Sequence, residues 1–392
     1  MQLPLPASLQ DFIARHESSS TDELLLHAKR YPDIDMAFAV NQIIARRHIK
    51  EKLPLWYHNR KLVFPSRLAT EQCSSEATAS YKQLLIKGER VCDLTGGLGI
   101  DSWYFAQKAK EVIYVERFPE YCQAADHNFK ILQTNNIQVI NSDCRDILES
   151  IKTDTFYIDP ARRSDSNKRL FALNDCEPNI LELKKILLQH SQRLIIKISP
   201  MADLTATLHL LPETTEIHIL AVKNECKEIL FVLENTPREI QIYTQAVHND
   251  SHQEFSFSPH EEKESPLLLA ETPGIYLYEP NAALLKSGAF KSVAIRYNLL
   301  KLHRHSHLYT SDLYCENFPG RKFFIRKSLP FTGKLLKQLR KDTPQANIAV
   351  RNFPMSVEQI RKTSGITDGG ETYLFATTLA DTRRFLFLCE KA

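Results

Sequence analysis

The sequence predicts a doubly wound α/β sheet, preceded by a helical region and followed by a smaller α+β module. Three observations carry that prediction. Short apolar runs recur at Arg90–Leu94, Glu111–Val115, Ile137–Ile140, Thr155–Ile158 and Leu194–Ile198, with helical segments between them. Gly96, Gly97 and Gly99 follow the first run and mark a tight strand-to-helix turn. The composition, 43% hydrophobic and 25% charged over 392 residues, is that of a globular chain rather than a disordered one. Its length suits two or three domains of ~100–200 residues each.

The stretch 1–72 reads as a mostly helical region. Ser20 or Thr21 can cap a helix over Glu23–Lys29, and Ala37, Val40, Ile43 and Ile44 repeat at helical spacing within Ala37–Lys50. Trp56–Phe64, with Asn59-Arg60 at its centre, is expected to form a hairpin. The stretch 73–235 holds the alternating strands and helices. Its helices are expected at Ser102–Ala109, Pro119–Gln133, Cys144–Ser150 and Ile180–His190, and Ile217–Val222 with Glu228–Leu233 should close the sheet. The stretch 236–273 is polar, with weak strands at Ile240–Ala246 and Glu254–Phe257, and reads as a connector. From 274 onward strands are expected at Gly274–Tyr278, Ser292–Asn298, Ala346–Arg351, Tyr373–Thr378 and Arg384–Leu388. Helices are expected at Asn281–Lys286, Lys334–Lys341 and Val357–Thr363, which suggests two small α+β units.

Several classes are excluded or disfavoured. No stretch approaches the ~18 uninterrupted apolar residues of a membrane span, and the first twenty residues lack the pattern of a secretory leader, so a cytoplasmic protein is expected. The eight cysteines form no CxxC pair, so neither a zinc site nor a disulfide framework is expected.

The chemistry-bearing residues stand at successive strand ends, where an open α/β sheet binds its ligands. The first strand ends in Asp93 and runs into Leu94-Thr95-Gly96-Gly97-Leu98-Gly99. Glycine permits close backbone approach to a ligand, and the helix that follows offers free N–H groups. The spacing is not that of the dinucleotide fingerprint, because Ser102 stands where its third glycine belongs. Glu116 ends the second strand, ~20 residues beyond the loop, where an acid can accept from both hydroxyls of a ribose. Asp143, after the third strand, can accept from an adenine amino group. Each acid alone is an ordinary solvated strand end; three in succession after a glycine loop point to one ligand. The fourth strand ends Asp159-Pro160-Ala161-Arg162, a carboxylate beside a rigid carbonyl suited to orienting a planar nucleophile. The basic loop after it carries Arg162, Arg163, Lys168 and Arg169, and Lys197 ends the fifth strand.

In that order these motifs resemble the class I S-adenosylmethionine-dependent methyltransferases. The resemblance implies a Rossmann-like sheet and S-adenosyl-L-methionine as cofactor. The family's loop carries glycines two, four and six residues after the acid; here Thr95, Gly97 and Gly99 stand there, so the first is replaced. The resemblance assigns Asp93 and the backbone of Gly97–Gly99 to the methionine part of the cofactor, Glu116 to its ribose and Asp143 to its adenine, and makes Thr95, Gly96 and Asp101 cofactor-binding as well. Asp159 and Pro160 fall on the family's catalytic Asp/Asn-Pro-Pro-aromatic motif, with Ala161 and Arg162 replacing its last two residues. Arg162, Arg163 and Lys197 are then substrate-binding. DPAR is also similar to the Asp-Pro-Pro-Arg of uridine carbon methyltransferases, but Cys226 lacks the surroundings of their nucleophile. EQCSSEATASYKQ (71–83), YEPNAALLKSGAF (278–290) and RNFP…TDGGETYLFATT (351–378) resemble a bacterial subgroup ending in a ferredoxin-like domain, here 274–327, and a THUMP-like domain, here 328–392.

Charge is distributed unevenly. Between Lys286 and Arg351 the chain carries 14 Lys and Arg against three acids, a local +11 in a chain of formal charge +3. RKFFIRK (321–327) interleaves bases with Phe323 and Phe324, and His303, His305 and His307 alternate as on one face of a strand. Such a patch is the footprint of a phosphate-binding surface, and aromatics beside bases can stack nucleobases. RNA, either tRNA or rRNA, is therefore the expected partner and a nucleobase the expected substrate. A protein or small-molecule substrate, and a non-catalytic RNA-binding protein with a residual cofactor fold, stay open.

Overall fold

A computed structural model describes residues 3–162, with Arg162 by its backbone, and residues 173–248 and 251–392. The chain divides into two units, 1–216 with 228–238, and 217–227 with 239–392.

The first unit opens with six short helices: α1 (Ala7–Arg15), α2 (Thr21–Leu26), α3 (Met36–Ile49), α4 (Pro54–His58), α5 (Arg67–Gln72) and α6 (Glu76–Lys82). Ser20, Asp35, Ser66 and Ser75 cap α2, α3, α5 and α6 by accepting from backbone N–H groups of the first turn. One face of α3 packs Ala39, Val40 and Ile43 on Phe12, Ile13 and Leu24. Its far end packs Ala45 and Ile49, with Trp56 and Phe64, on Leu98 and Ile100. The helical region thus braces the glycine turn. The hairpin expected over Trp56–Phe64 does not form. Pro54 starts α4 there, and the guanidinium of buried Arg46 donates to the carbonyls of Tyr57, Asn59, Arg60 and Leu62, which a hairpin would need for its ladder.

The sheet of this unit contains β1 (Arg90–Asp93), β2 (Glu111–Glu116), β3 (Ile137–Asn141), β4 (Thr155–Ile158), β7 (Arg193–Ile198) and β9 (Glu225–Glu234), in the order β3-β2-β1-β4-β7-β9. Two-residue strands β5 (Ala161–Arg162) and β6 (Cys176–Glu177) pair with each other beyond β4, and β8 (Thr214–Val222) precedes β9. Neighbours are parallel, except that β9 runs antiparallel to β7, with Arg193 opposite Glu234. The helices are α7 (Ile100–Ala106), α8 (Pro119–Ile131), α9 (Cys144–Ile147), α10 (Ile180–Gln189) and α11 (Leu204–Leu210). Strand order reverses between β1 and β4, so a crevice opens there at the carboxyl ends of the strands.

In the second unit, β10 (Gln241–His248) and β11 (Ser251–Phe257) form a regular antiparallel pair where only weak strands and a connector were expected. Ile242, Thr244, Ala246, Phe255 and Phe257 are buried, a pattern masked in the sequence by polar neighbours on the other face. Helices α12 (Pro259–Glu264), α13 (Ala282–Ser287), α14 (Ser292–Arg296), α15 (Gly333–Gln338) and α16 (Val357–Ser364) follow. The strand expected at Ser292–Asn298 is α14 instead, because the Glu262 carboxylate accepts from the N–H groups of Lys291 and Ser292 and from the Ser292 hydroxyl, capping a helix start. Strands β12 (Tyr276–Pro280), β13 (Leu300–Lys301), β14 (Tyr309–Ser311), β15 (Gly320–Pro330), β16 (Asn347–Arg351), β17 (Tyr373–Thr378) and β18 (Arg384–Lys391) share one sheet, ordered β13-β14-β12-β15-β18-β17-β16. The strands expected for two separate α+β units therefore pair continuously, with β15 joining β12 to β18. The alternating histidines do not lie on a strand. Residues 303–307 form a turn in which His307 takes a positive φ of 50° and stacks on Phe290 at 3.6 Å. Among the described residues no helix is long and apolar enough to cross a membrane.

Candidate active site

A cleft of about 880 Å³ lies over the carboxyl ends of β1 to β4 and β7. Thr95, Gly96, Gly97, Gly99, Asp101, Glu116, Asp143, Asp159 and Lys197 all line it, so the fold brings together residues spread over a hundred positions.

The loop after β1 is shaped by contacts that exclude side chains. A Cβ on Gly96 would sit 2.2 Å from the Tyr114 ring, and one on Gly99, at φ +85°, 2.7 Å from the Phe129 ring. Gly97, at φ +54°, differs. A Cβ there would meet only the Thr95 carbonyl oxygen, at 3.8 Å, and would otherwise project into the cleft. The Gly97 N–H donates to Glu116 Oε2 at 3.0 Å, and its carbonyl accepts from the Tyr114 hydroxyl at 2.7 Å. Glu116 Oε1 accepts from the Phe118 N–H at 3.0 Å. The carboxylate expected to hold a ribose is therefore itself held by backbone on both sides, with lone pairs left over.

Asp93 does not line the cleft. It is 1% exposed, and its oxygens accept from the Thr95 N–H at 3.1 Å and the Ser102 hydroxyl at 2.6 Å. Burial, with Asp101 adding, pushes its carboxyl up to about 7 against the pull of the Ser102 hydrogen bond. It braces the turn from behind. Thr95, which replaces a glycine, accepts the Asp159 N–H on its hydroxyl at 2.7 Å, tying the β1 loop to the end of β4.

Asp143 caps α9 by accepting the Arg145 N–H at 3.0 Å, and the Arg145 guanidinium grips both its oxygens, at 2.9 and 2.6 Å. That grip holds the Asp143 carboxyl below the usual carboxylate range. Glu177 on β6 pairs with Arg117 at 3.1 Å on the same wall. Phe118 and Tyr121 line this end of the cleft.

At the other end, Asp159 Oδ2 pairs with Lys197 Nζ at 2.5 Å. Pro160 is buried beside it. Behind them lies a group of polar side chains. Lys82 Nζ stands 2.8 Å from Asp101 Oδ1 and 3.3 Å from Glu228, and donates to the Ser74 hydroxyl at 2.5 Å. Asp101 Oδ2 accepts from Ser74 at 2.8 Å and from the Tyr157 hydroxyl at 3.0 Å. Burial alone would raise the Asp101 carboxyl, but Lys82 and Lys197 outweigh it and hold it below its ordinary range. Burial alone would lower the Lys197 ammonium, yet Asp159, Glu228 and Asp101 hold it well above the ordinary lysine value. For Glu228 burial wins, and its carboxyl is raised.

Over 98% of its length the chain matches 98% of the crystal structure of a candidate methyltransferase from Porphyromonas gingivalis W83, at 38% identity and a TM-score of 0.90. The chain belongs to that methyltransferase family. Residues 276–319 match a ferredoxin-like domain and residues 320–391 a THUMP domain-like family. Two further structures overlap in part: Trm5b from Pyrococcus abyssi, with 16% identity, a TM-score of 0.31, and 41% of this chain and 49% of that one covered; and an rRNA methylase from Streptococcus thermophilus, with 16%, 0.32, 42% and 99%. Likenesses that slight say nothing about activity. No curated protein matches the chain.

In this methyltransferase the strand-end acids are legible from their motifs, whereas their supports are not. Arg162 closes β5 by its backbone, and Arg163, Lys168 and Arg169 lie outside the described residues. Lys82 offered only a local hint that does not name its partner: Thr78, Ala79 and Lys82 share the buried face of α6, and a lysine on such a face needs one. Its acidic partners are Asp101 and Glu228, the acid that opens the apolar run Ile229–Leu233. Arg145 had no signal beyond its place beside Asp143.

Proposed function

We propose that the protein transfers a methyl group from S-adenosyl-L-methionine to a nucleobase of RNA, either tRNA or rRNA. The observation that carries this reading is the cleft itself. It sets a glycine cradle, a ribose-suited carboxylate, a second carboxylate and an Asp-Pro edge around one volume at the switch point of the sheet. The residues fit the cofactor: at Gly97 a Cβ would enter the space a ligand needs, and Glu116 keeps lone pairs directed there.

Bound S-adenosylmethionine supplies an electrophilic methyl on a sulfonium. The protein's own residues bind and orient. Glu116 accepts from the ribose hydroxyls, Asp143 from the adenine amino group, and the Gly97–Gly99 backbone lies along the methionine part. Asp159 and the Pro160 carbonyl accept from the N–H of a target amino group and turn its lone pair toward the methyl. Asp93 and Thr95 keep the two loops in register behind them. The RNA part of the reading rests on the THUMP domain-like match and on the local basic surplus.

The test incubates purified protein with tritium-labelled S-adenosylmethionine and total RNA from cells that lack the gene. Label is expected in RNA, and digestion to nucleosides identifies the base. Label confined to protein or small molecules would move the substrate elsewhere, and no label in any fraction would refute the activity.

A further inference from the structure

Four ionisable side chains run from the interior to the cleft with alternating charge: Lys82 on α6, Glu228 on β9, Lys197 on β7 and Asp159 after β4. Their side-chain exposures rise along the series, 0%, 4%, 14% and 37%. Lys82 and Lys197 stand on either side of Glu228, at 3.3 and 3.9 Å, and Lys197 reaches Asp159 Oδ2 at 2.5 Å. Such a series is expensive to bury, since each charge leaves water, and removal of one member strands another without a partner. Nothing in the folding of the sheet requires it, because β4 and β7 already pair through Thr155–Ile158 and Arg193–Ile196.

We propose that Glu228, backed by Lys82, is a positioning residue that holds the Lys197 ammonium against Asp159 Oδ2 and so aims the other Asp159 oxygen at the substrate. Among the described residues Asp159 Oδ1 takes no hydrogen bond, and Asp159 is the only member of the series more than a quarter exposed. A carboxylate pinned at one oxygen and at its own N–H, which donates to Thr95, presents a single acceptor in a defined direction. Without Glu228, Lys197 would lose the carboxylate on its inner side and be held by Asp159 alone, so that the pair could rotate together. This rests on the reading of Asp159 as the residue that orients substrate, but its structural core can be tested without any substrate.

The charged groups facing Lys197 are Asp159, Glu228, Asp101 and, more weakly, the Cys73 thiol. The experiment is a pH titration of the lysine side-chain ammonium groups by ¹³C/¹⁵N NMR in the full chain, with the Lys197 signal identified by its loss in Lys197→Arg. In the wild type, Lys197 should show slowly exchanging ammonium protons and stay protonated beyond the range of the surface lysines. In Glu228→Gln it should titrate roughly one pH unit or more lower, and Glu228→Asp should recover part of that shift. If RNA accepts methyl groups, Glu228→Gln should also lower kcat about tenfold while calorimetry shows donor affinity changed less than about threefold. A wild-type Lys197 that exchanges and titrates like a surface lysine would overturn the proposal, even if neither Glu228 variant folds. An unchanged Lys197 titration in Glu228→Gln would overturn it equally. Failure of methyl transfer with these NMR results intact would instead refute the function while leaving the positioning series in place.

Discussion

Single side chains in the cleft separate binding from chemistry. Glu116 accepts backbone N–H groups from Gly97 and Phe118 and faces the cleft, so Glu116→Ala should weaken S-adenosylmethionine binding roughly 10- to 100-fold by calorimetry, the scale of one or two hydrogen bonds to a charged group. Unchanged affinity would remove the ribose assignment. Asp159 is hydrogen-bonded to the glycine turn through the Thr95 hydroxyl, by its backbone N–H and not by its carboxylate. Asp159→Asn should therefore bind the donor within about threefold of wild type yet lose about a hundredfold or more in methyl transfer to RNA; ordinary turnover in that variant would refute the Asp-Pro mechanism. Asp93 yields a prediction in pH. Folded, its carboxyl keeps its proton up to about 7, whereas in the unfolded chain it ionises near ~4. Between those values the native state binds the extra proton, so this group makes stability fall as pH rises. Asp93→Asn has no such proton. Its stability relative to wild type should improve from about pH 4 to pH 7, by at most about 1.4 kcal/mol per unit, as read by urea unfolding. A pH-independent difference would place the Asp93 carboxyl in its ordinary range.

Elements were legible where local rules and tertiary packing agree. The strands of the parallel sheet are short apolar runs stopped by Gly, Asp or Pro, and they formed within a few residues of their expected bounds. Trp56–Phe64 misled because Asn59-Arg60 looked like the turn of a hairpin while Arg46, at least ten positions earlier, takes the carbonyls around it. Ser292–Asn298, expected as a strand, misled for the same kind of reason: a glutamate thirty positions away caps a helix. The cleft was legible in its acids, since each stands at a strand end beside a turn signal. Its supports were not, because Lys82 and Glu228 lie 146 residues apart and meet only through the sheet. The glycine turn offers a test at this scale. Gly97→Ala meets open space and should cost only about 1–2 kcal/mol, the penalty for a left-handed alanine. Gly96→Ala drives a methyl into the Tyr114 ring and should cost more, about 1–3 kcal/mol of overpacking or beyond. Yet Gly97→Ala, whose methyl projects into the cleft, should lose more donor affinity per unit of stability lost. Equal ratios for the two variants would argue that the loop is only a turn.

Across the whole molecule, the basic surplus is smaller at the surface than in the sequence. Lys301 is 2% exposed, its amine lowered to about 8 by burial. Arg321 and Arg351 both grip the buried Glu279 carboxylate, and Arg296 pairs with Glu261. Phe323, expected among the stacking aromatics, lies in the core of the second sheet. What stays exposed is concentrated at the end of β15 and on the α15 segment: Lys327, Lys334, Lys337, Arg340 and Lys341, all within the THUMP domain-like stretch. A phosphate surface built there should behave as counterion release dictates, with log affinity falling linearly in log salt concentration. Lys334→Glu, Lys337→Glu and Lys341→Glu combined should leave the fold intact, since all three side chains are exposed. The triple variant should weaken binding of total RNA by about tenfold or more near ~50 mM salt, and flatten the salt slope by about 0.7–0.9 for each phosphate it no longer neutralises. S-adenosylmethionine affinity should not change, because none of the three lines the cleft. A slope equal to that of wild type would show that these charges are merely solvated, and would leave the RNA substrate without a docking surface on this module.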